Sequence, residues 1–199
     1  MLRVALAITA VGALIGLFLF VRRPRVLLFG DSITVWGEKP LTAAMRWRDD
    51  PTVVGFPGWR IDELVPPARS VAPDSRGFVI LNVGTNDALQ TWPLDQSEVA
   101  LREMVDVFAS ARCVALVTVN EGIFHPPTDV AANARALNEV IRKVALERGL
   151  VVIDWSAFLR DYNLGPRADG DLTYDLVHPN PAGYAKMAEF YHDSLARCP

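Results

Sequence analysis

Cysteine is nearly absent from this sequence, since two occur in 199 residues, too few for a scaffold held by several disulfides. No closely spaced group of cysteine and histidine residues offers the ligands of a structural zinc site. The 13 glycines and 14 prolines follow no repeat, which excludes collagen-like and low-complexity chains. Because 51% of the residues are hydrophobic and 22% are charged, the composition is that of a globular protein rather than a disordered one.

Basic residues are also too few for a nucleic-acid-binding protein. The chain has 20 lysines and arginines against 23 acidic residues, a net charge of −3. Four of the arginines lie within residues 1–25, which contain no acidic residue, so the rest of the chain is more acidic still. An acidic surface repels a phosphate backbone, and we therefore expect no nucleic-acid partner.

The longest apolar run lies at the N-terminus, where Thr9 is the one polar side chain within residues 4–21. As a helix this run would be about 27 Å long, close to the hydrocarbon thickness of a bilayer. Two arginines and a proline follow it, instead of the small residues of a signal-peptidase site. We predict an uncleaved membrane anchor over residues 1–24, contacting the membrane through residues 4–21, and one domain over residues 25–199. A signal peptide cleaved at a poor site, which would release a secreted domain, is the alternative.

Two signals disagree about the side of the membrane on which the domain lies. Three arginines follow the apolar run and one precedes it, which favours a cytoplasmic domain. Cys113, at the start of a predicted strand, and Cys198, at the end of the last predicted helix, should reach the same end of the sheet. If they pair, the compartment is oxidising, whereas each alone also fits a small buried hydrophobic residue. We expect an extracytoplasmic domain.

From residue 25 onward, short apolar runs alternate with amphipathic stretches. Runs typical of buried strands occupy residues 25–29, 52–54, 78–83, 113–119 and 150–153. Helical stretches occupy residues 41–48, 61–70, 97–110, 130–148 and 181–197. This alternation predicts an α/β fold, a three-layer α/β/α sandwich with a five-stranded parallel sheet, preceded by the hydrophobic N-terminal helix. Ligands of such sheets bind beyond the carboxyl ends of the strands.

Four segments rich in glycine and polar residues lie at those predicted strand ends or near the C-terminus. They are Gly30-Asp31-Ser32-Ile33-Thr34, Gly55-Phe56-Pro57-Gly58, Gly84-Thr85-Asn86-Asp87 and Asp175-Leu176-Val177-His178-Pro179. Each segment alone is typical of a turn, a helix cap or a surface pair. Their joint occurrence at one edge of the sheet indicates a functional site.

The residue types in these segments match the needs of a serine nucleophile. A serine hydroxyl needs a base to take its proton, and that base needs an acceptor on its other nitrogen. Ser32, His178 and Asp175 can fill these roles. The oxyanion then needs preorganised donors, for which the backbone N–H groups of Ser32 and Gly58 and the side-chain amide of Asn86 are candidates.

These four segments resemble the motif blocks of the SGNH hydrolases, also called GDSL-type esterases and lipases. The resemblance covers residues 26–197, and its loosest point is the pair of residues before Gly58, where the family often has asparagine or a further glycine. It implies a flavodoxin-like fold, no metal or cofactor, and a small-molecule acyl-ester substrate. It also implies a triad of Ser32, Asp175 and His178, and an oxyanion hole of Ser32, Gly58 and Asn86. The chemistry expected is ester hydrolysis through an acyl-enzyme.

An ordinary α/β-hydrolase does not fit, because its nucleophile elbow has glycine two residues after the serine and position 34 is threonine. An acyltransferase with the same triad and a catalytically silent, membrane-anchored binding protein stay open. With the anchor joined to the start of the first strand, Ser32 should lie about 20 Å from the membrane-facing end of the domain. This arrangement favours soluble or cell-wall-linked acyl esters as substrates.

Three tryptophans, Trp36, Trp59 and Trp92, each follow one of the motif segments by a few residues. Core or lid packing is their ordinary role, and bordering the substrate pocket is the other possibility.

Overall fold

The structure is a computed structural model that describes residues 25–45, 50–123, 130–164 and 172–198. The predicted anchor, residues 1–24, lies outside the described residues and stays a prediction. Within the described ranges, no helix combines the length and the apolar character needed to cross a bilayer.

A five-stranded parallel sheet forms the centre of the domain, as the alternating apolar runs predict. Its strands are β1 (Arg25–Gly30), β2 (Asp50–Gly55), β3 (Phe78–Asn82), β4 (Cys113–Val117) and β5 (Val151–Ile153). They lie in the order β2-β1-β3-β4-β5, and every neighbouring pair is parallel. This is the order of flavodoxin-like sheets, in which the chain changes direction across the sheet between β1 and β3.

Helices cover both faces of the sheet. They are α1 (Ser32–Trp36), α2 (Glu38–Met45), α3 (Ile61–Val71), α4 (Thr85–Leu89), α5 (Leu94–Val107), α6 (Ala131–Arg148), α7 (Trp155–Leu164) and α8 (Pro181–Leu195). Because successive strand side chains point to opposite faces, two hydrophobic cores form. Leu27, Phe29 and Leu81 pack with α3, α5 and α6, whereas Val26, Leu28 and Ile80 pack with α2, α7 and α8.

Several element boundaries differ from those predicted. Helices α1 and α4, which begin shortly after β1 and β3, were not predicted, because helices of five residues are too short to show amphipathic periodicity. Helix α7 was also not predicted. Strand β2 is longer than residues 52–54 and includes Pro51. Proline has no N–H to donate to a neighbouring strand, and an edge strand tolerates it because one side of that strand has no neighbour.

Cys113 and Cys198 form a disulfide, the pairing that the sequence left open. Their Cα atoms are 5.8 Å apart, and the two residues are 85 positions apart along the chain. The bond ties the end of the chain after α8 to the first residue of β4. Helix α8 is thus held to the sheet at its C-terminal end by a covalent link.

We predict that replacing both Cys113 and Cys198 with alanine lowers the free energy of unfolding by about 4 kcal/mol, because the disulfide restricts a long loop in the unfolded chain. Urea unfolding without reductant measures the difference. Adding reductant should lower the stability of the wild-type protein and leave the double variant unchanged. Equal unfolding midpoints for the oxidised wild type and the double variant would contradict the prediction.

Candidate active site

The strand register brings the first three motif segments to the same edge of the sheet. Gly30 of β1 pairs with Gly55 of β2 and with Asn82 of β3, so the three strands end level with one another. The N–H of Phe56 donates to the carbonyl oxygen of Gly30 at 3.0 Å, which holds the second segment beside the first. The segments after these strands therefore emerge side by side.

The three residues predicted to form a triad lie within hydrogen-bond distance of one another. Ser32 Oγ is 2.9 Å from His178 Nε2, although the two residues are 146 positions apart. His178 Nδ1 is 2.7 Å from Asp175 Oδ2. With Nδ1 protonated and donating to the carboxylate, Nε2 carries the lone pair that can accept the serine proton.

A tight turn holds Asp175 against the imidazole. Asp175 Oδ1 accepts hydrogen bonds from the backbone N–H of Val177 at 3.0 Å and of His178 at 2.7 Å. Leu176, between Asp175 and Val177, adopts a φ of 67°. Partial burial alone would raise the pKa of Asp175. The hydrogen bonds from the backbone and ring of His178 outweigh burial and hold that pKa below its ordinary value. The carboxyl group is therefore an ionised acceptor at neutral pH.

Ser32 is the first residue of α1, and its neighbours fix that helix. The side chain of Asp31 caps the helix by accepting from the N–H of Ile33 at 3.0 Å. The hydroxyl of Tyr184 in α8 donates to the carbonyl oxygen of Ile33 at 2.9 Å. A Cβ at Gly30 would overlap the carbonyl oxygen of Asn82, so glycine permits this close approach of β1 to β3.

Gly58 adopts φ of 81°, in the left-handed region that glycine favours. A Cβ at this position would meet no atom within 4 Å, so conformation rather than lack of space favours glycine here. In the described part of the chain, the N–H groups of Ser32 and Gly58 donate to no acceptor. Both donors are therefore available to an incoming oxyanion.

Asn86, in the first turn of α4, lies beside this segment. Its Nδ2 donates to the carbonyl oxygen of Trp59 at 3.0 Å, and the residue is 8% exposed. One Nδ2 hydrogen is thus used for positioning, and the second can serve a ligand. The neighbouring Asp87 accepts from the N–H of Ile61 at 3.0 Å and from Ser97 Oγ at 2.7 Å, which fixes the start of α3 after the Gly58 segment.

Gln90, a residue that the sequence did not single out, also holds the Gly58 segment. Its Nε2 donates to the carbonyl oxygen of Gly58 at 3.0 Å, and its Oε1 accepts from the guanidinium of Arg60 at 2.9 Å. That guanidinium lies 4.0 Å from the ring centroid of Trp92. Gln90 follows Asn86 by four residues, the spacing of neighbours on one helix face. The sequence could have indicated Gln90 through this spacing only if a helix had been predicted over these residues.

The tryptophans after the motif segments have different environments. Trp36 lies against the imidazole of His178, with ring centroids 3.9 Å apart and planes inclined by 35°. Trp59 stacks on Phe56 at 4.7 Å and 20°. Both remain exposed beside the motif residues, whereas Trp92 is half-buried under Arg60.

Asp31, which directly precedes Ser32, has a pKa that differs from that of an ordinary aspartate. It is fully buried, and its Oδ2 has no hydrogen-bond partner within the described residues. Burial, with a smaller contribution from the charge of Asp87, raises the pKa of Asp31 to about 7. The group is therefore partly protonated near neutral pH.

The described ranges contain no group of three or more histidine, cysteine or acidic side chains arranged to hold a metal ion.

Comparison with known proteins identifies the family. A model of the GDSL-like lipase/acylhydrolase family matches residues 28–186, a span that includes all four motif segments. This chain belongs to that family.

Solved structures share the fold. A lipolytic protein of the G-D-S-L family from Veillonella parvula has 21% identity and a TM-score of 0.73, over 87% of this chain and 98% of that one. A GDSL-like lipase from Bacteroides thetaiotaomicron has 19% identity and a TM-score of 0.73, covering 87% and 88%. An acetylxylan esterase from Geobacillus stearothermophilus has 20% identity and a TM-score of 0.67, covering 86% and 94%. A search of curated proteins gives no match.

We predict that Gln90→Leu lowers kcat roughly tenfold, less than the roughly 10²–10³-fold loss on removing an oxyanion donor itself. The loss should fall on kcat and leave KM nearly unchanged, because a displaced oxyanion donor matters most in the transition state. Steady-state kinetics with p-nitrophenyl acetate measure both constants. Gln96→Leu, the same change at an exposed position of α5, is the matched control. A wild-type kcat in Gln90→Leu would contradict this positioning role.

We also predict that Asp31→Asn flattens the pH dependence of stability. Because the pKa of Asp31 is about 7 in the folded protein, the folded state binds more protons than the unfolded state below that pH. Wild-type stability should therefore fall by roughly 3 kcal/mol as pH rises from about 4 to about 7. Asparagine keeps the oxygen that caps α1 and cannot ionise. Urea unfolding of both proteins across this range tests the difference, and parallel pH profiles would refute it.

Proposed function

We propose that this protein is a serine acyl-ester hydrolase that acts through an acyl-enzyme on Ser32. The observation that carries the proposal is the continuous hydrogen-bonded relay from Ser32 Oγ to His178, at 2.9 Å, and from His178 to Asp175, at 2.7 Å. Membership of the GDSL-like lipase/acylhydrolase family supports a hydrolase of this class.

Acylation begins when Ser32 Oγ attacks the ester carbonyl carbon while His178 Nε2 takes the hydroxyl proton. The carbonyl oxygen becomes an oxyanion, which accepts hydrogen bonds from the N–H groups of Ser32 and Gly58 and from the Asn86 amide. As the tetrahedral intermediate collapses, the C–O bond to the alcohol breaks and His178 gives its proton to the departing oxygen. The product is an ester between the acyl group and Ser32.

Deacylation repeats the sequence with water as the nucleophile. His178 takes a proton from the water as its oxygen attacks the acyl carbon. Collapse then breaks the bond to Ser32 Oγ, the hydroxyl recovers its proton from His178, and the carboxylic acid leaves. In both halves the ionised carboxylate of Asp175 keeps the imidazole in the required tautomer and stabilises it when it is protonated.

The placement of the site bears on where the substrates lie. We propose an extracytoplasmic domain, because disulfides persist in oxidising compartments and Cys113 pairs with Cys198. Ser32 follows the carboxyl end of β1, whereas Arg25 begins that strand at the opposite edge of the sheet. An anchor ending just before Arg25 would direct Ser32 away from the membrane. We therefore propose soluble or cell-wall-linked acyl esters as substrates.

Ser32→Ala should reduce ester hydrolysis by about 10⁴-fold or more, because it removes the nucleophile. It should also abolish covalent labelling by a fluorophosphonate. Hydrolysis of p-nitrophenyl acetate and gel-based labelling measure the two effects.

Ser110→Ala, at an exposed serine after α5, is the matched control and should keep full activity and labelling. Thermal unfolding of both variants checks that each is folded. Hydrolysis and labelling at wild-type level in Ser32→Ala would end the proposal.

A further inference from the structure

Exposed aromatic side chains are concentrated around the proposed active site. Among the described residues, the large aromatic side chains most open to solvent are Tyr174 at 73%, Trp36 at 55% and Trp59 at 39%. Trp36 follows Ser32 by four residues, Trp59 follows Gly58 directly, and Tyr174 directly precedes Asp175. Single exposed apolar residues need no explanation, but three exposed aromatic residues in or beside the motif segments offer a surface suited to binding a ligand.

Trp36 occupies a distinctive place in this surface. Its indole packs against the ring of His178, with centroids 3.9 Å apart, and 55% of the residue is nevertheless exposed. Trp59, by contrast, accepts a hydrogen bond from Asn86 through its carbonyl oxygen and belongs to the oxyanion side of the site. The two tryptophans therefore flank different parts of a bound ester.

The direction of the reaction decides which part of the ester faces Trp36. His178 must deliver its proton to the alcohol oxygen, so that oxygen comes within hydrogen-bond distance of Nε2. The alcohol then lies beside the imidazole, against which the partly exposed Trp36 indole packs. The carbonyl oxygen points instead toward Gly58 and Asn86.

The charges near this surface favour an uncharged alcohol. Arg60, two residues after Gly58, is bonded to Asp62 at 3.1 Å and to Gln90 at 2.9 Å, and it lies over Trp92. The exposed charges that follow Trp36, on Glu38 and Lys39, are opposite in sign and adjacent. Phosphate or carboxylate recognition uses clustered cations, and neither side of the site supplies a cluster within the described residues.

We infer that Trp36 forms the subsite for the leaving alcohol and that this alcohol is an uncharged ring, a pyranoside esterified on a hydroxyl. The inference rests on the proposed esterase function. A pyranose presents a flat face of C–H bonds that can pack on an indole while its hydroxyl groups stay in water, which suits a half-exposed ring. A flexible alkyl alcohol would instead need an enclosed apolar groove to offset the entropy lost on ordering the chain.

Two acetate esters with the same acyl group test this inference, xylopyranose tetraacetate as the ring substrate and glycerol triacetate as the open-chain substrate. The wild-type protein should hydrolyse the ring ester with the higher kcat/KM. Trp36→Ala should lower the ratio of the two kcat/KM values roughly tenfold, as expected when a pocket loses an apolar contact. The change should fall mainly on KM for the ring ester. Trp36→Phe, which keeps an aromatic face, should retain most of the preference.

Each other outcome has a defined meaning. Equal losses on both esters in Trp36→Ala would overturn the inference, because the indole would then act only through His178. Wild-type preference for glycerol triacetate, or hydrolysis of p-nitrophenyl acetate without hydrolysis of the ring ester, would also overturn it and leave the esterase proposal intact. Failure of the wild-type protein to hydrolyse any of the three esters would remove the proposed function itself and the inference with it.

Discussion

The contact between Ser32 Oγ and His178 Nε2, at 2.9 Å, depends on helix α8 more than on any other element. Asn180, two residues after His178, caps this helix by accepting from the N–H of Gly183 at 3.0 Å. Tyr184, one turn further on, donates to the carbonyl oxygen of Ile33, directly after the serine. The same helix thus holds His178 at its start and the segment that carries Ser32 through its first turn. A shift of α8 along its axis would disturb both, and the disulfide after its C-terminal end opposes that shift.

Buried polar groups below the site support this geometry at a cost in stability. Asn82, at the end of β3, donates to the hydroxyl of Tyr191 at 2.9 Å and links the sheet to α8. Asp31 caps helix α1, which carries Ser32, and Asp87 accepts from the first N–H of helix α3, which follows the Gly58 segment. Burial raises the pKa of both carboxyl groups. Each carboxyl group accepts a hydrogen bond at the start of a helix, but it does so at a buried position where its charged form is poorly solvated. The motif segments around Ser32 and Asn86 therefore contain acidic residues that hold the structure, beside the residues proposed to face the substrate.

The sequence predicted the sheet well because the strands are nearly continuous apolar runs. Their parallel orientation follows from the helices that connect them. The motif residues could be placed at one edge because parallel strands share their carboxyl ends. The short helices α1 and α4 could not be predicted, since their helical character comes from packing, and in α1 also from the Asp31 cap, rather than from periodicity. Missing α4 also hid Gln90, whose only signal is its spacing from Asn86. The Trp36 contact with His178 was out of reach for another reason, because it joins side chains from distant segments whose rotamers depend on the whole site.

The position of Trp36 on α1 has a structural consequence for specificity. Ser32 and Trp36 are four residues apart on one short helix and so lie on the same helix face, which gives the nucleophile and the indole beside the base a fixed mutual geometry. Gly58, the proposed oxyanion donor, lies on a separate segment together with Trp59, and that segment is held by Asn86 and Gln90. In the proposed mechanism, the carbonyl side and the alcohol side of the ester therefore contact separate elements of the fold. Changes in the Gly58 segment can alter how the carbonyl group is held without moving the surface that faces the alcohol, whereas displacing α1 would alter alcohol binding and nucleophile placement together.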